Sequence, residues 1–339
     1  MVFMRSEVKQ QVCTSIEQKI REGWVIVSDL DGSLLDHHTY SPEAAKPALA
    51  QLRRLNLPLV LNTSKTIKET LPIASSLGIR SPIIVENGGA IFLTNQDSAS
   101  NYWSNENTPL EVSECIPYGI TRNKILLLLK ELKEKRNLKF TSFSEMSLSD
   151  LSSCTGLAES SAKAAKNRDY SEPLIWEDTP ELLVWFRSKL EKNNLHIVKG
   201  GRFYSITGKH DKSSGFQCIR NFFKTAENPD VRIIALGDSM NDLPMLNAAD
   251  KAICIRSPVN PPLSTKNQTG VIQSERSIFQ FQKDSQLLFA RMTRIWAIFS
   301  AFSDNQAVPA FLSRACRTCL WPDSINPEPI GKSNSLASA

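Results

Sequence analysis

The stretch VIVSDLDGSLLDHH, residues 25–38, limits the fold more than any other part of the chain. The apolar run from Trp24 to Val27 has strand length and no polar face, the pattern of a strand buried on both sides of a parallel sheet. It ends on Asp29 and Asp31, one residue apart, and then Gly32. Two carboxylates this close repel each other; they are tolerated where a cation sits between them or where one must be reactive. The same residues also suit a solvated turn, since Asp and Gly are common there. The remainder of the chain has to decide.

From residue 24 onward, strand and helix patterns alternate, which argues for an α/β fold with a mainly parallel sheet. After the first strand comes SPEAAKPALAQLRRL, read as a helix with Ser41 as N-cap and Pro42 in its first turn. LPLVLNTS is a second strand ending in hydroxyls, KTIKETLPIASSLG a helix closed by Gly78, and PIIVENGGAIF a third strand running into a glycine turn. Far downstream VRIIALGDSMNDLPMLNAA repeats the opening theme: apolar strand, glycine, carboxylates, helix. In open α/β sheets the active site lies at the carboxyl ends of the strands, and three of these strands deliver polar residues there.

Between these blocks the character changes. A basic helix TRNKILLLLKELKEKRN, a strand LKFTSF, a Ser-rich helical stretch, PLIW and the strands LHIVKG and RFYSI are enough for a second α/β layer. The expected organisation is a discontinuous core over 24–87 and 210–285 with an inserted domain over 88–209. Residues 1–23 form an N-terminal extension, in which Met4, Val8, Val12, Ile16 and Ile20 mark an amphipathic helix, and 286–339 a divergent, partly disordered C-terminal segment.

Composition excludes several alternatives. The formal charge of +5 is spread without any block of like charges, which does not suit nucleic acid and mildly favours an anionic substrate. Seven scattered cysteines suggest reduced thiols, and with no signal-peptide pattern the cytoplasm is the expected compartment. Cys316 and Cys319 form a lone CxxC with no partner pair, and His37, His38, His196 and His210 lack metal-ligand spacing. LLFARMTRIWAIFSAF is interrupted by Arg291 and Arg294, so no span of a membrane is expected.

Four fragments then stand in order: DLDGS at 29–33, NTSK at 62–65, HDK at 210–212 and GDSMND at 237–242. Together they resemble the four motifs of the haloacid dehalogenase superfamily of phosphohydrolases, with Ser33 where threonine is more usual. The resemblance implies a Rossmann-like core with an inserted cap, and a Mg²⁺-dependent reaction through an aspartyl-phosphate. On that reading Asp29 is the nucleophile and Asp31 the general acid and base. Asp29, Asp31 (through its main-chain carbonyl), Asp238 and Asp242 serve the metal; Thr63 and Lys212 meet the phosphoryl oxygens.

The phrases LNTSKT, IVENGGAIF, FTSFSEMS, TGLAESSAKAAKNRDYSEPLIW and GGRFYSITGKHDK narrow the resemblance, over about residues 24–256, to the mannosyl-3-phosphoglycerate phosphatase family. That implies release of phosphate from mannosyl-3-phosphoglycerate to give mannosylglycerate, a compatible solute, with the glucosyl analogue or a broader sugar phosphate as alternatives. Ser64, Lys65, Arg168, Glu172 and Arg202 are then expected to bind substrate, the arginines at its carboxylate and Glu172 at sugar hydroxyls. A different class, a phospho-sugar binding protein without turnover, shares the same motifs. Plainer roles also exist: Thr63 or Ser64 as helix cap, Asp238 and Asp242 as charges at a helix start, Arg168, Glu172 and Arg202 in surface ion pairs.

Overall fold

The structure, a computed structural model, describes residues 23–95, 101–199, 203–226, 228–257, 260–261, 263–265 and 271–273. The N-terminal amphipathic pattern, Arg202, the CxxC and the chain beyond residue 273 lie outside the described residues. In chain order the elements that build the first sheet are β1 (Trp24–Ser28), α1 (Lys46–Arg54), β2 (Leu59–Asn62), α2 (Ile67–Ser76), β3 (Ile83–Val85), β4 (Ala90–Thr94) and β5 (Val112–Pro117). Those of the second sheet follow: α3 (Arg122–Arg136), β6 (Phe140–Ser142), α4 (Leu148–Thr155), α5 (Glu159–Lys166), β7 (Ser171–Trp176), α6 (Pro180–Lys192), β8 (His196–Lys199) and β9 (Tyr204–Thr207). The chain returns with α7 (Phe216–Phe223), β10 (Arg232–Gly237), a 3₁₀ turn at Met240–Asp242, α8 (Leu243–Ala248), β11 (Lys251–Cys254) and β12 (Val271–Gln273).

Among the described residues the larger sheet has eight strands in the order β12-β11-β10-β1-β2-β3-β4-β5. From β12 to β3 every pairing is parallel; β4 and β5 are antiparallel. The chain leaves β1 toward β2 on one side and comes back as β10 on the other, so the strand order reverses beside β1, the place where α/β sheets open a crevice for ligands. Val25, Ile26 and Val27 are fully buried, as a central strand covered on both faces requires. Val25 and Val27 share a cluster with Val60, Ile84, Ile233, Ala235 and the inner face of α7, Phe216, Ile219 and Phe223. Each such side chain removed from water contributes roughly 1.5–3 kcal/mol. The second sheet, β6-β7-β9-β8, is antiparallel and has its own cluster, in which Ile125, Leu129, Phe186 and Leu190 from α3 and α6 meet Phe140, Leu174, Ile197 and Ile206.

Two details differ from the sequence reading. The boundary drawn at residue 88 falls inside the larger sheet, because β4 and β5 pair onto β3; the second sheet and its helices run from Arg122 to Thr207. The helix expected from Ser41 starts at Lys46, with Pro47 in its first turn and residues 41–45 in turns ahead of it. Proline lacks an N–H and its ring blocks the carbonyl four residues back, so Pro47 sits where a helix begins rather than inside one. Among the described residues no helix is long and apolar enough to cross a membrane.

Candidate active site

Asp29 follows β1 directly, and its N–H donates to the Leu236 carbonyl at 3.0 Å, so the backbone that carries it is locked to β10. Asp238 follows β10 in the same way. The two strands are paired in parallel register, Ser28 against Leu236, which brings both carboxylates to one sheet edge. Between them Gly32 has φ +84°, and a Cβ there would stand 2.4 Å from Asp238 Oδ2; glycine is required both for the turn and for the close approach.

Asp242 completes the group. Its Oδ2 accepts from the Asp238 N–H at 3.0 Å and from the Ser239 N–H and hydroxyl at 2.9 Å each, which closes the 3₁₀ turn. Oxygens of Asp29, Asp238 and Asp242 lie within 4.8 Å of one another, and all three residues are buried. Lys212, 1% exposed, extends its ammonium between two of them, 2.5 Å from Asp29 Oδ1 and 2.6 Å from Asp242 Oδ1. Its backbone is held from β2, where Asn62 Nδ2 donates to the Lys212 carbonyl at 2.7 Å.

Three buried carboxylates thus gather, and the buried Lys212 ammonium pairs with two of them. Burial pushes the Asp29 carboxyl well above the ordinary aspartate value, and the negative charges of Asp242 and Asp31 push the same way against the pull of Lys212. Burial also raises Asp238, with Asp242 adding to it and hydrogen bonds from Ser257 and Asn260 opposing. For Lys212 burial alone would favour the neutral amine, but the Asp242 and Asp29 carboxylates outweigh it and hold the ammonium firmly charged. Among the described residues the cluster therefore holds more acidic groups than cations.

Asp31 sits at the rim, about a third exposed, and pairs with Lys65, whose Nζ lies 2.6 Å from Asp31 Oδ2. Burial works against the Lys65 charge, and Asp31 more than restores it, so the pKa is raised. Asp31 Oδ1 and Ser33 Oγ are buried without a hydrogen-bond partner among the described residues. Thr63 is 1% exposed, and its hydroxyl accepts from the Lys65 N–H at 3.2 Å. Neither Thr63 nor Ser64 caps the helix that follows: Thr66 does, in a capping box where Thr66 Oγ1 accepts from Glu69 N–H and Glu69 Oε2 from Thr66 N–H.

The expected substrate residues divide. Glu172 is fully buried, and both its oxygens are taken, Oε2 by Arg122 Nε at 2.5 Å and Oε1 by the Ser144 N–H at 2.7 Å. With no exposed surface to offer a sugar, it stands in an internal ion pair instead. Arg168 donates to the Ser64 carbonyl through both terminal nitrogens, at 3.2 and 3.1 Å, and to Ser171 Oγ at 2.9 Å, with 10% of its side chain exposed. Its two terminal nitrogens join the second sheet to the loop after β2, while Nε is buried without a hydrogen-bond partner among the described residues. Sequence reasoning missed Arg122, Asn62 and Glu86. Glu86 carried a readable signal, an acidic residue directly after a short apolar strand, as at Asp29 and Asp238.

The haloacid dehalogenase-like hydrolase model matches residues 26–260, and the chain belongs to that class of hydrolases. Two curated relatives are named glucosyl-3-phosphoglycerate/mannosyl-3-phosphoglycerate phosphatase. That of Persephonella marina is 36% identical over 253 residues, 74% of this chain and 91% of the relative; that of Methanococcoides burtonii is 35% identical over 237 residues, 69% and 85%. Within its class the chain is therefore a member of the mannosyl-3-phosphoglycerate phosphatase family and a phosphoric monoester hydrolase. Its fold is similar to the crystal structure of Thermoplasma acidophilum 0175, with a TM-score of 0.52 at 17% identity, covering 83% of this chain and 98% of the other.

Proposed function

We propose that this phosphatase is Mg²⁺-dependent and hydrolyses mannosyl-3-phosphoglycerate, or its glucosyl analogue, to the glycosylglycerate and phosphate. The observation that carries the reading is the cluster of Asp29, Asp238 and Asp242, in which Lys212 pairs with Asp29 and Asp242 and is the one lysine among the described residues to do so. Buried carboxylates without enough cations suit a hard divalent ion that takes oxygen ligands, and Asp29 and Asp238 would hold it, with Asp242 beside them. Bound there, the ion would offset the charge of the phosphate and keep Asp29 ionised.

Asp29 then attacks phosphorus; a P–O bond forms to its carboxylate as the ester P–O bond breaks, and the departing alkoxide takes a proton from Asp31. Water attacks the aspartyl-phosphate, gives its proton to Asp31, and the bond to Asp29 breaks to restore the carboxylate. Lys212 and the Thr63 hydroxyl supply positive charge and a donor for the phosphoryl oxygens. Among the described residues Cys115, Cys218 and Cys254 are free thiols, which supports a reducing compartment such as the cytoplasm.

The test is phosphate release from the mannosyl and glucosyl esters, with MgCl₂ and with excess EDTA. Release that needs Mg²⁺ is expected. Release that EDTA leaves unchanged would remove the metal from the reading, and no release from either ester would remove the substrate.

A further inference from the structure

Glu86 stands where the site-facing ends of the two sheets meet. It follows β3 with φ +49°, a left-handed conformation unfavourable for a residue with a side chain, and it is 1% exposed. Its Oε1 accepts from the Asp169 N–H at 2.8 Å, and its Oε2 from the Tyr170 N–H at 3.0 Å and the Ser171 hydroxyl at 2.5 Å. Its own N–H donates to the Lys65 carbonyl at 3.0 Å. One residue therefore grips the chain leading into β7 with its side chain and the loop after β2 with its backbone.

That loop is held at three consecutive residues. Arg168 binds the Ser64 carbonyl, Glu86 the Lys65 carbonyl, and the Thr66 hydroxyl donates to the Ala164 carbonyl at 3.0 Å. The residue in the middle is Lys65, whose ammonium is the partner of Asp31. The Glu86 carboxylate thus accepts from three donors, with the Arg168 guanidinium nearby, Nη1 at 3.9 Å, and charge-assisted bonds of this kind fix geometry strongly.

We propose that Glu86 is a positioning residue for proton transfer to the leaving oxygen: it seats the 164–171 stretch against the loop after β2 and so sets Lys65, which in turn orients Asp31. The proposal rests on the functional reading above, in which Asp31 is the general acid. Its consequence is selective. An alkyl ester such as mannosyl-3-phosphoglycerate leaves as a strongly basic alkoxide and needs the acid, whereas p-nitrophenyl phosphate leaves as a stable phenolate and does not.

Glu86→Gln keeps the shape but offers one acceptor oxygen where two are used. Complete loss of a general acid costs about 10²–10⁴ in rate, so displacing it should lower the ratio of alkyl to aryl ester kcat by about tenfold. Ser171→Ala removes one of the three donors and should lower the same ratio by about threefold; it decides the matter if Glu86→Gln does not fold. A fall of equal size on both esters, or an unchanged ratio, in either folded variant overturns the proposal and leaves Glu86 a structural residue. Failure of the underlying reading looks different: wild-type protein would release phosphate from neither ester, and the proposal would fall with it.

Discussion

Two buried polar clusters lie close together in this molecule and are built on opposite rules. At the ends of β1 and β10, three carboxylates gather, and the ammonium of Lys212 pairs with two of them, Asp29 and Asp242. Around the start of β7, charges are matched singly, Arg122 with Glu172 and Arg168 with Glu86, and further hydrogen bonds to the carboxylates come from backbone N–H groups and the Ser171 hydroxyl. Burying a charge is costly unless it is paired, so a balanced cluster can serve the fold alone, while an unbalanced one needs something further to justify it. Excess buried charge therefore separates the chemistry from the scaffold more sharply than burial or acidity does.

The largest effect expected on this contrast is at Asp29. Asn in its place keeps the size and removes the attacking oxygen's charge, and phosphate release should fall by on the order of 10⁴ or more, with the melting temperature little lowered. A variant that keeps a tenth of its activity would take the nucleophile out of this cluster. Next comes Lys212→Met, which strands Asp29 and Asp242 against each other. Its kcat should drop by about 10²–10³; a change confined to KM would make Lys212 a binding group only.

Glu172→Gln probes the other cluster. It leaves Arg122 without its counter-charge in a nearly buried place, and stability to urea should fall by about 3 kcal/mol, while kcat per folded molecule stays within about twofold. A loss of turnover without loss of stability would return Glu172 to the substrate site.

The smallest effect is a pH dependence. Asp29 and Asp238 both have pKa values raised in the folded protein, so the native state holds their protons more tightly than the unfolded chain does. Without metal, their contribution to stability is complete below the ordinary aspartate value of 3.8 and fades as pH rises through the raised values. A divalent ion binds the ionised forms and competes with those protons. The gain in Tm on adding MgCl₂ should thus be larger at about pH 8 than at about pH 5, and Asp238→Ala should shrink it; an increment that ignores pH would place the ion elsewhere.

Much of this arrangement was legible. The strand ends at Asp29, Thr63 and Asp238 could be read because an apolar run followed by a polar residue marks where a buried strand meets solvent, and the parallel sheet brings those ends together. The cap at Thr66 was equally readable from Glu69 three residues on, the spacing of a capping box. Glu172 was not readable, since its counter-ion Arg122 stands fifty residues earlier on another element.

By itself the sequence determined the residue types and their delivery: period and run length make the strands, and the first polar residue after each is aimed by rigid backbone. Only the tertiary structure decided who neutralises whom. Lys212 meets Asp29 across 183 positions and Asp242 across 30, Glu86 reaches Asp169, Tyr170 and Ser171 more than eighty residues away, and β4 and β5 join the larger sheet rather than the insert. The physical reason is range. Backbone preference and apolar periodicity act over a few neighbours and are written locally, whereas the charge balance of a buried group depends on whatever the fold packs within a few ångströms of it.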